Sequence, residues 1–182
     1  FYFHEGGTLR FYQASSGSTQ CSLTTTQLFR DPSAWMHIVF AVDTTQGAAA
    51  NRNKLYVNGT QVTSFSTETN FSSDDTGSFN GAVLHTIGRD GTGTTDYLDA
   101  YLAEFVFIDG TQYAASDFGE FDEDSPTIWK PKDVSGLTFG TNGVYLDFEA
   151  SDNLGNDANG GTDWAESGLA AADQATDTPT NN

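Results

Sequence analysis

Between residues 147 and 163 the chain reads "DFEASDNLGNDANGGTD". Asp147, Glu149, Asp152, Asn153, Asn156, Asp157, Asn159 and Asp163 place eight carboxylate or amide side chains there, with no Lys or Arg among them. Calcium takes its ligands from carboxylates, amides and backbone carbonyls. Asp157-x-Asn159, followed by Gly160-Gly161 and Asp163, offers alternating oxygens on a flexible backbone, so a calcium site would rest on Asp157, Asn159 and Asp163. The spacing departs from an EF-hand loop, whose fifth position would fall on Gly161 and whose closing Glu would fall on Gly168. The plainer reading is an Asx-turn-rich connection whose side chains bond their own backbone. The stretch favours that reading, with structural calcium as the alternative and no other cofactor required.

Other chemistry lacks its parts. His4, His37 and His85 are the only histidines, and no Gly-x-Ser-x-Gly elbow accompanies them. One Cys and three scattered His do not make a zinc site, and no phosphate-binding glycine loop occurs. Cys21 has no second Cys to pair with, which leaves it as a small, semi-buried side chain. His37 lies in a dense apolar run, where packing is the expected role.

A sugar site on a β-sheet protein combines an aromatic platform with Asp or Asn hydrogen-bonders. Tyr97, Tyr101 and Trp129 are candidate platforms, and Asp90, Asp96 and Asp99 lie in the "RDGTGTTDYLD" loop beside the two tyrosines. Most aromatic residues of any chain serve simply as core, and that is the competing role for each of these.

The balance of charge narrows the partners. Seven basic residues against twenty-five acidic ones give a formal charge of -18. That excludes nucleic acid and anionic membrane surfaces as main partners, because phosphate binding rests on Lys and Arg. Such a charge is tolerated best at high ionic strength, which points to a saline setting. No apolar run approaches a membrane span, and no signal peptide opens the chain. Its ends, at Phe1 and at "DTPTNN", read as cuts through a longer polypeptide.

These residues must be held by strands. Short β-rich runs punctuated by Gly, Asn, Asp, Ser and Thr are the mark of an all-β chain. "FYFHEGGTLRFYQ" (1–13) predicts two strands around Glu5-Gly6-Gly7, and "WMHIVFAVD" (35–43) a fully buried strand. "KLYVNGTQV" (54–62) predicts a hairpin with Asn58-Gly59 in a type I′ turn, so that Val57 faces Thr60 and Leu55 faces Val62. Further strands are expected over 82–88, 101–109 and 143–149. The segments 44–53 and 65–80 read as long polar loops. Single helical turns are expected within 114–124, with Ser116 as N-cap, and within 163–175. Runs that are apolar on both sides need cover on each, so the economical architecture is an antiparallel β-sandwich with jelly-roll connections.

"WMHIVFAVD", "NKLYVNGTQV", "LHTIGRDG" and "YLAEFVFIDG", in that order, resemble the laminin-G and pentraxin-like branch of the concanavalin A-like lectin/glucanase jelly rolls, over about residues 35 to 125. The resemblance implies the fold; members of the family include glycan-binding, protein-binding and catalytic domains. Some glucanases of this superfold carry Glu-x-Asp-x-(x)-Glu on one strand face, a spacing for nucleophile and acid/base. Here "EFDED" keeps that parity at Glu120, Asp122 and Asp124, but ends in Asp and reads as a loop or helical turn. Asp147 and Glu149, expected on one strand face, are a second pair. A glycosidase is therefore the minor reading.

The C-terminal part, through "FGTNGVYLDF", "LGNDANGG" and "DQATDTPTNN", resembles a segment of tailed-bacteriophage structural proteins, marine ones in particular. The expectation is a β-sandwich over 1–150 and a polar extension over 151–182. It would be a non-enzymatic virion module (fibre, appendage or capsid decoration) at the virion surface, assembling with copies of itself or other subunits and free to meet host-surface glycans. A lectin-like module outside a virion is the alternative.

Overall fold

The computed structural model describes residues 1–91, 95–175 and 179. Among them the strands run in chain order as β1 (Tyr2–His4), β2 (Thr8–Ser15), β3 (Ser18–Leu28), β4 (Ile38–Val42), β5 (Asn53–Val57), β6 (Thr60–Val62), β7 (Phe65–Thr69), β8 (Phe105–Phe107), β9 (Gly119–Phe121), β10 (Trp129–Pro131) and β11 (Val144–Leu146). All pairings between strands are antiparallel, and the helical content among the described residues is single 3₁₀ turns.

Contacts gather the chain into two compact units, Phe1–Gly81 with Gln112–Lys132, and Ala82–Thr111 with Asp133–Asn182. This is a grouping by contact, and the division between 1–150 and 151–182 stays an expectation of the sequence.

In the first unit, one sheet has the order β1-β2-β3-β7 and another the order β4-β5-β6. Alternation builds the interior. Leu9, Phe11 and Gln13 of β2 point inward, as do Asn53, Leu55 and Val57 of β5. Phe11 stacks on Phe40 of β4 at 3.9 Å between ring centres, joining the two sheets across an antiparallel β-sandwich. Cys21, Leu23 and Phe71 complete that cluster, with Val42, Phe65 and Phe79 packed against it. A bulge between Thr8 and Arg10 withholds Leu9 from the β2–β3 ladder. Its N–H donates instead to Thr25 Oγ1 at 3.1 Å, so the buried group keeps a partner. The β9–β10 hairpin belongs to this unit, and the β8–β11 pair to the second.

The Asn58-Gly59 hairpin forms as expected. Both residues have positive φ (47° and 72°), and Val57 faces Thr60 while Leu55 faces Val62. Asn58 also holds the start of β4, accepting from His37 N at 2.8 Å through Oδ1. β1 and β2 flank Glu5-Gly6-Gly7, again as expected.

Several elements differ. The strand expected over 35–43 begins at Ile38, and only Ala41 is fully buried, because its flanks face partly outward. No strand forms over 82–88. Its backbone meets no neighbouring strand, Arg89↔Tyr97 is an isolated bridge, and Val83 and Leu84 stand exposed. The run over 101–109 shortens to β8 because Glu104 adopts a left-handed φ of 55°, which turns the chain before Phe105. In the same way Phe148, at 59°, ends β11 before Asp147 and Glu149 can share a strand face. Phe65–Thr69, expected in a loop, is β7 and pairs with β3. Within 114–124 the turn is Ala115–Asp117. Its cap is Asp117, which accepts from Ala114 N at 2.7 Å, and not Ser116. Glu120 then lies in strand β9, not in a loop or helical turn.

Candidate functional site

The oxygen-rich stretch folds around Asp157, which is 4% exposed. Its Oδ1 accepts from Tyr145 N at 2.9 Å and Asn159 N at 3.0 Å, and its Oδ2 from Gly161 N at 3.1 Å. A Cβ at position 161 would collide with that carboxylate, so the glycine is what allows the chain to wrap it. Asp163 works the same way from outside, accepting from Asp157 N at 3.1 Å and from the Asn153 amide at 2.8 Å. Those two donors hold the Asp163 carboxyl below its ordinary range. The side chain of Asn159 is exposed. Among the described residues no three His, Cys, Asp or Glu side chains form a metal-binding group. The structure thus brings Asp157 and Asp163 together around the backbone, as the Asx-turn reading expects.

Sequence reasoning missed Glu104 altogether. The left-handed backbone at this residue turns its carboxylate toward β11, where Tyr145 Oη donates to Oε2 at 2.6 Å. Burial raises the Glu104 carboxyl above its usual range against the lowering effect of the Tyr145 bond, and Asp147, Glu149 and Asp133 add repulsion. Burial and the same carboxylate push the Tyr145 hydroxyl up.

Of the six glycan candidates, Asp90, Asp96, Tyr97, Asp99 and Tyr101 lie in the second unit and Trp129 in the first. All five in the loop are exposed, Tyr97 to 64% and Tyr101 to 73%, which makes their rings surface features. The Arg89↔Tyr97 bridge, with Leu98 N donating to Gly88 O at 2.7 Å, pins the two arms of this loop.

Trp129 opens β10, opposite Phe121 of β9. Its indole lies across Gly119, diagonal to it in the ladder, and over Gly59 of the β5–β6 turn, where a Cβ at either glycine would collide with the ring. Phe121 meets it edge-on at 5.0 Å, and His37 lies 5.8 Å away. The ring therefore fastens two hairpins within the unit. Beside it runs an open groove of about 440 Å³, lined by Tyr56, Phe121 and Trp129 over a floor of small residues, with Ser116, Glu120 and Lys132 on it. Phe121 and Lys132 belong with Trp129 to one hairpin, whereas Tyr56 is far away in sequence and no local pattern marks it as their neighbour.

Of the "EFDED" carboxylates, Glu120 lies 3.8 Å from Lys132 and Asp122 is held in its own turn. Asp122 pairs with Lys130 at 3.2 Å and accepts from Ser125 N and Asp124 N, and these contacts lower its carboxyl. Asp147 Oδ1 accepts from Glu149 N at 3.0 Å. Cys21 is fully buried, and that burial pushes its thiol up to about 12. Burial lowers His37, whose Nδ1 has no partner. Among the described residues no helix is long and apolar enough to cross a membrane.

Two packed antiparallel sheets in the first unit define a β-sandwich. The chain belongs to the concanavalin A-like lectin/glucanase superfamily: a laminin G-type model of that family matches residues 1–116. The resemblance read in the strand sequences is thereby borne out at the level of the family. Comparison with curated proteins and with solved structures finds no match.

Proposed function

We propose that the chain is a non-enzymatic module of a virion structural protein, a fibre, appendage or capsid decoration, that serves assembly and attachment to host-surface glycans. The virion setting draws on the likeness of residues 125–182 to tailed-phage structural proteins, and the saline setting on the charge of -18. The observation that carries attachment is the loop in which Tyr97 and Tyr101 stand 64% and 73% exposed among the exposed carboxylates of Asp90, Asp96 and Asp99. Rings of this kind stack on the C–H face of a sugar while carboxylates accept from its hydroxyls. Assembly with further copies would use exposed sheet edges such as β1.

A glycan array probed with the full chain and with Tyr101→Ala tests attachment. Binding by the parent, weakened about tenfold in the variant, is the expected result, a loss of the order of one aromatic contact. An array blank for the parent overturns it. A lectin-like module outside a virion uses the same loop, and mass spectrometry of purified virions separates the two.

A further inference from the structure

We propose that β1 is a self-pairing edge: two copies of the chain join β1 to β1, antiparallel across a two-fold axis, into one continuous sheet. The proposal deepens the assembly reading, on which it rests, by committing it to a second copy, a strand and a register.

The direction of one N–H group sets the geometry. In an antiparallel pair the N–H and C=O of a residue lie on the same edge of its strand. Leu9 N donates to Thr25 Oγ1 of β3, so Leu9 turns its backbone groups away from β1. Phe3 stands opposite Leu9, and its own N–H and C=O therefore turn away from β2. Tyr2 and His4 fall in the hydrogen-bonded pairs, with Arg10 and Thr8. β1 ends the sheet on that side, and among the described residues no backbone hydrogen bond from another element reaches Phe3. The middle of β1 thus offers one donor and one acceptor, an arrangement that is its own complement. Phe3 set against Phe3 of a second copy exchanges both bonds, with Tyr2 facing His4 on either side.

The side chains single out this edge. Phe1, Tyr2 and Phe3 are all exposed, whereas no exposed large apolar residue lies on the other outer strands, β4, β6 and β7. β1 carries none of the Lys or Pro that protect an open edge. Phe3 shares its face with the fully buried Leu9, so its ring sits at the rim of the sandwich, where a second ring would cover it.

Charge selects the partner. Residues 1–30, which build β1, β2 and β3, hold Arg10 and Arg30 against Glu5, while 31–182 hold twenty-four acidic residues against five basic ones. Two chains of net charge -18 repel over most of their surface and meet most readily where neither carries an excess of acid. Salt screens the repulsion that remains. A three-residue edge buries well under the roughly 800 Å² per partner of a standard interface, so the pairing is weak and depends on concentration.

Sedimentation velocity of the full chain, from about 10 µM to about 1 mM and at about 0.05 M and about 0.5 M NaCl, tests this. A monomer–dimer equilibrium is expected, with a Kd on the order of 100 µM at the higher salt and about fivefold weaker at the lower. The Phe3 amide should gain protection from exchange as concentration rises, while those of Tyr2 and His4 stay as they are. Phe3→Pro removes an N–H that β2 does not use, and Phe3→Lys places a charge on the edge; each should weaken the dimer about tenfold. Phe3→Cys reads the register, because residues opposed in a hydrogen-bonded pair lie about 5.5 Å apart at Cα, within disulfide reach. With oxidised glutathione it should cross-link into dimers. Tyr12→Cys, equally exposed but on β2, should not, and the buried Cys21 takes no part. A chain that stays monomeric at about 1 mM and the higher salt overturns the proposal together with assembly between copies. A dimer that no Phe3 substitution weakens overturns the edge and leaves the assembly reading standing. A dimer tighter at the lower salt also overturns the proposal, since opposite charges would then hold the interface.

Discussion

In the first unit the interior is made of rings: Phe11 on Phe40 across the two sheets, Phe71 and Phe79 edge-on to Phe11, and Trp129 laid over two glycines. In the second, backbone N–H groups converge on carboxylates. Asp157 accepts three, Glu166 accepts one from Gly155, and Asp109 accepts from Asn142. Composition follows the same line. The second unit has a single basic residue, Arg89, against fourteen acidic ones, while the first has six against eleven. Buried area is non-directional and tolerates loose geometry, whereas a hydrogen-bonded loop depends on each acceptor. The first unit should therefore fail through cavities and the second through single polar atoms.

The sharpest test of the first half is Phe71→Ala. Phe71 is 1% exposed and belongs to the central cluster, so its truncation should cost about 3–5 kcal/mol of stability. Denaturant unfolding followed by hydrogen exchange in β5 reads this directly. A cost below about 1 kcal/mol would mean that the cluster is not what holds the sandwich.

Next in size is Asp157→Ala, which orphans the N–H groups of Tyr145, Asn159 and Gly161. A loss of about 2–3 kcal/mol is expected, with Asp157→Asn recovering part of it through its remaining oxygen. Exchange of amides in β11 should accelerate while that of β5 stays unchanged. If both strands respond alike, the two units do not unfold separately and the contrast collapses.

How much of this contrast was legible depends on how local each feature is. The Asn58-Gly59 hairpin was read down to its register because two adjacent residues decide it. β3 was not read, although Ser18–Leu28 is rich in Thr, a strand former, because its buried side chains include the polar Ser22, Thr24 and Thr25, with Ser22 and Thr24 on the face opposite Cys21 and Leu23. Apolar periodicity has no signal for a polar interior that hydrogen bonds satisfy. The late start of β8 and the early end of β11 come from left-handed Glu104 and Phe148, residue types that carry no such preference. The Asx character of Asp157 was visible as composition, but its partner Tyr145 N belongs to another element. Trp129 was singled out as a ring, while the groove needed an unread β9–β10 hairpin to set Phe121 opposite it and tertiary structure to bring Tyr56.

Acid should move the two units in opposite directions. Burial lowers His37 in the first, so its neutral form contributes stability that is present above pH 6.5 and is lost as the pH falls from there. Burial and its acidic neighbours raise Glu104 in the second. Its contribution is fully present below pH 4.5 and is lost as the pH rises from there through the folded value. Between pH 6.5 and 4.5, then, exchange protection should fall in β4 and β5 and rise in β8 and β11. Glu104→Gln keeps an acceptor for Tyr145 and should flatten the second slope alone. An unchanged slope in that variant would take Glu104 out of the account.

The smallest effect expected is that of calcium. Both Asp157 oxygens already accept backbone N–H groups, Asp163 accepts two more donors, and the side chain of Asn159 is turned outward. A calcium ion could use Asp157 and Asp163 only by displacing those donors, and their lost bonds would offset what the ion contributes. Stabilisation by a ligand follows RT ln(1 + [L]/Kd), so a site with a Kd near 10 µM would add about 2.7 kcal/mol at 1 mM calcium. Melting of the second unit in EDTA and in 1 mM calcium, at matched ionic strength, should differ by less than about 0.5 kcal/mol. Matching is needed because a unit with fourteen carboxylates against one Arg responds to salt alone. A larger rise, lost in Asp163→Ala, would show that the loop exchanges its internal donors for a metal, and that its carboxylates are ligands held in reserve by the backbone.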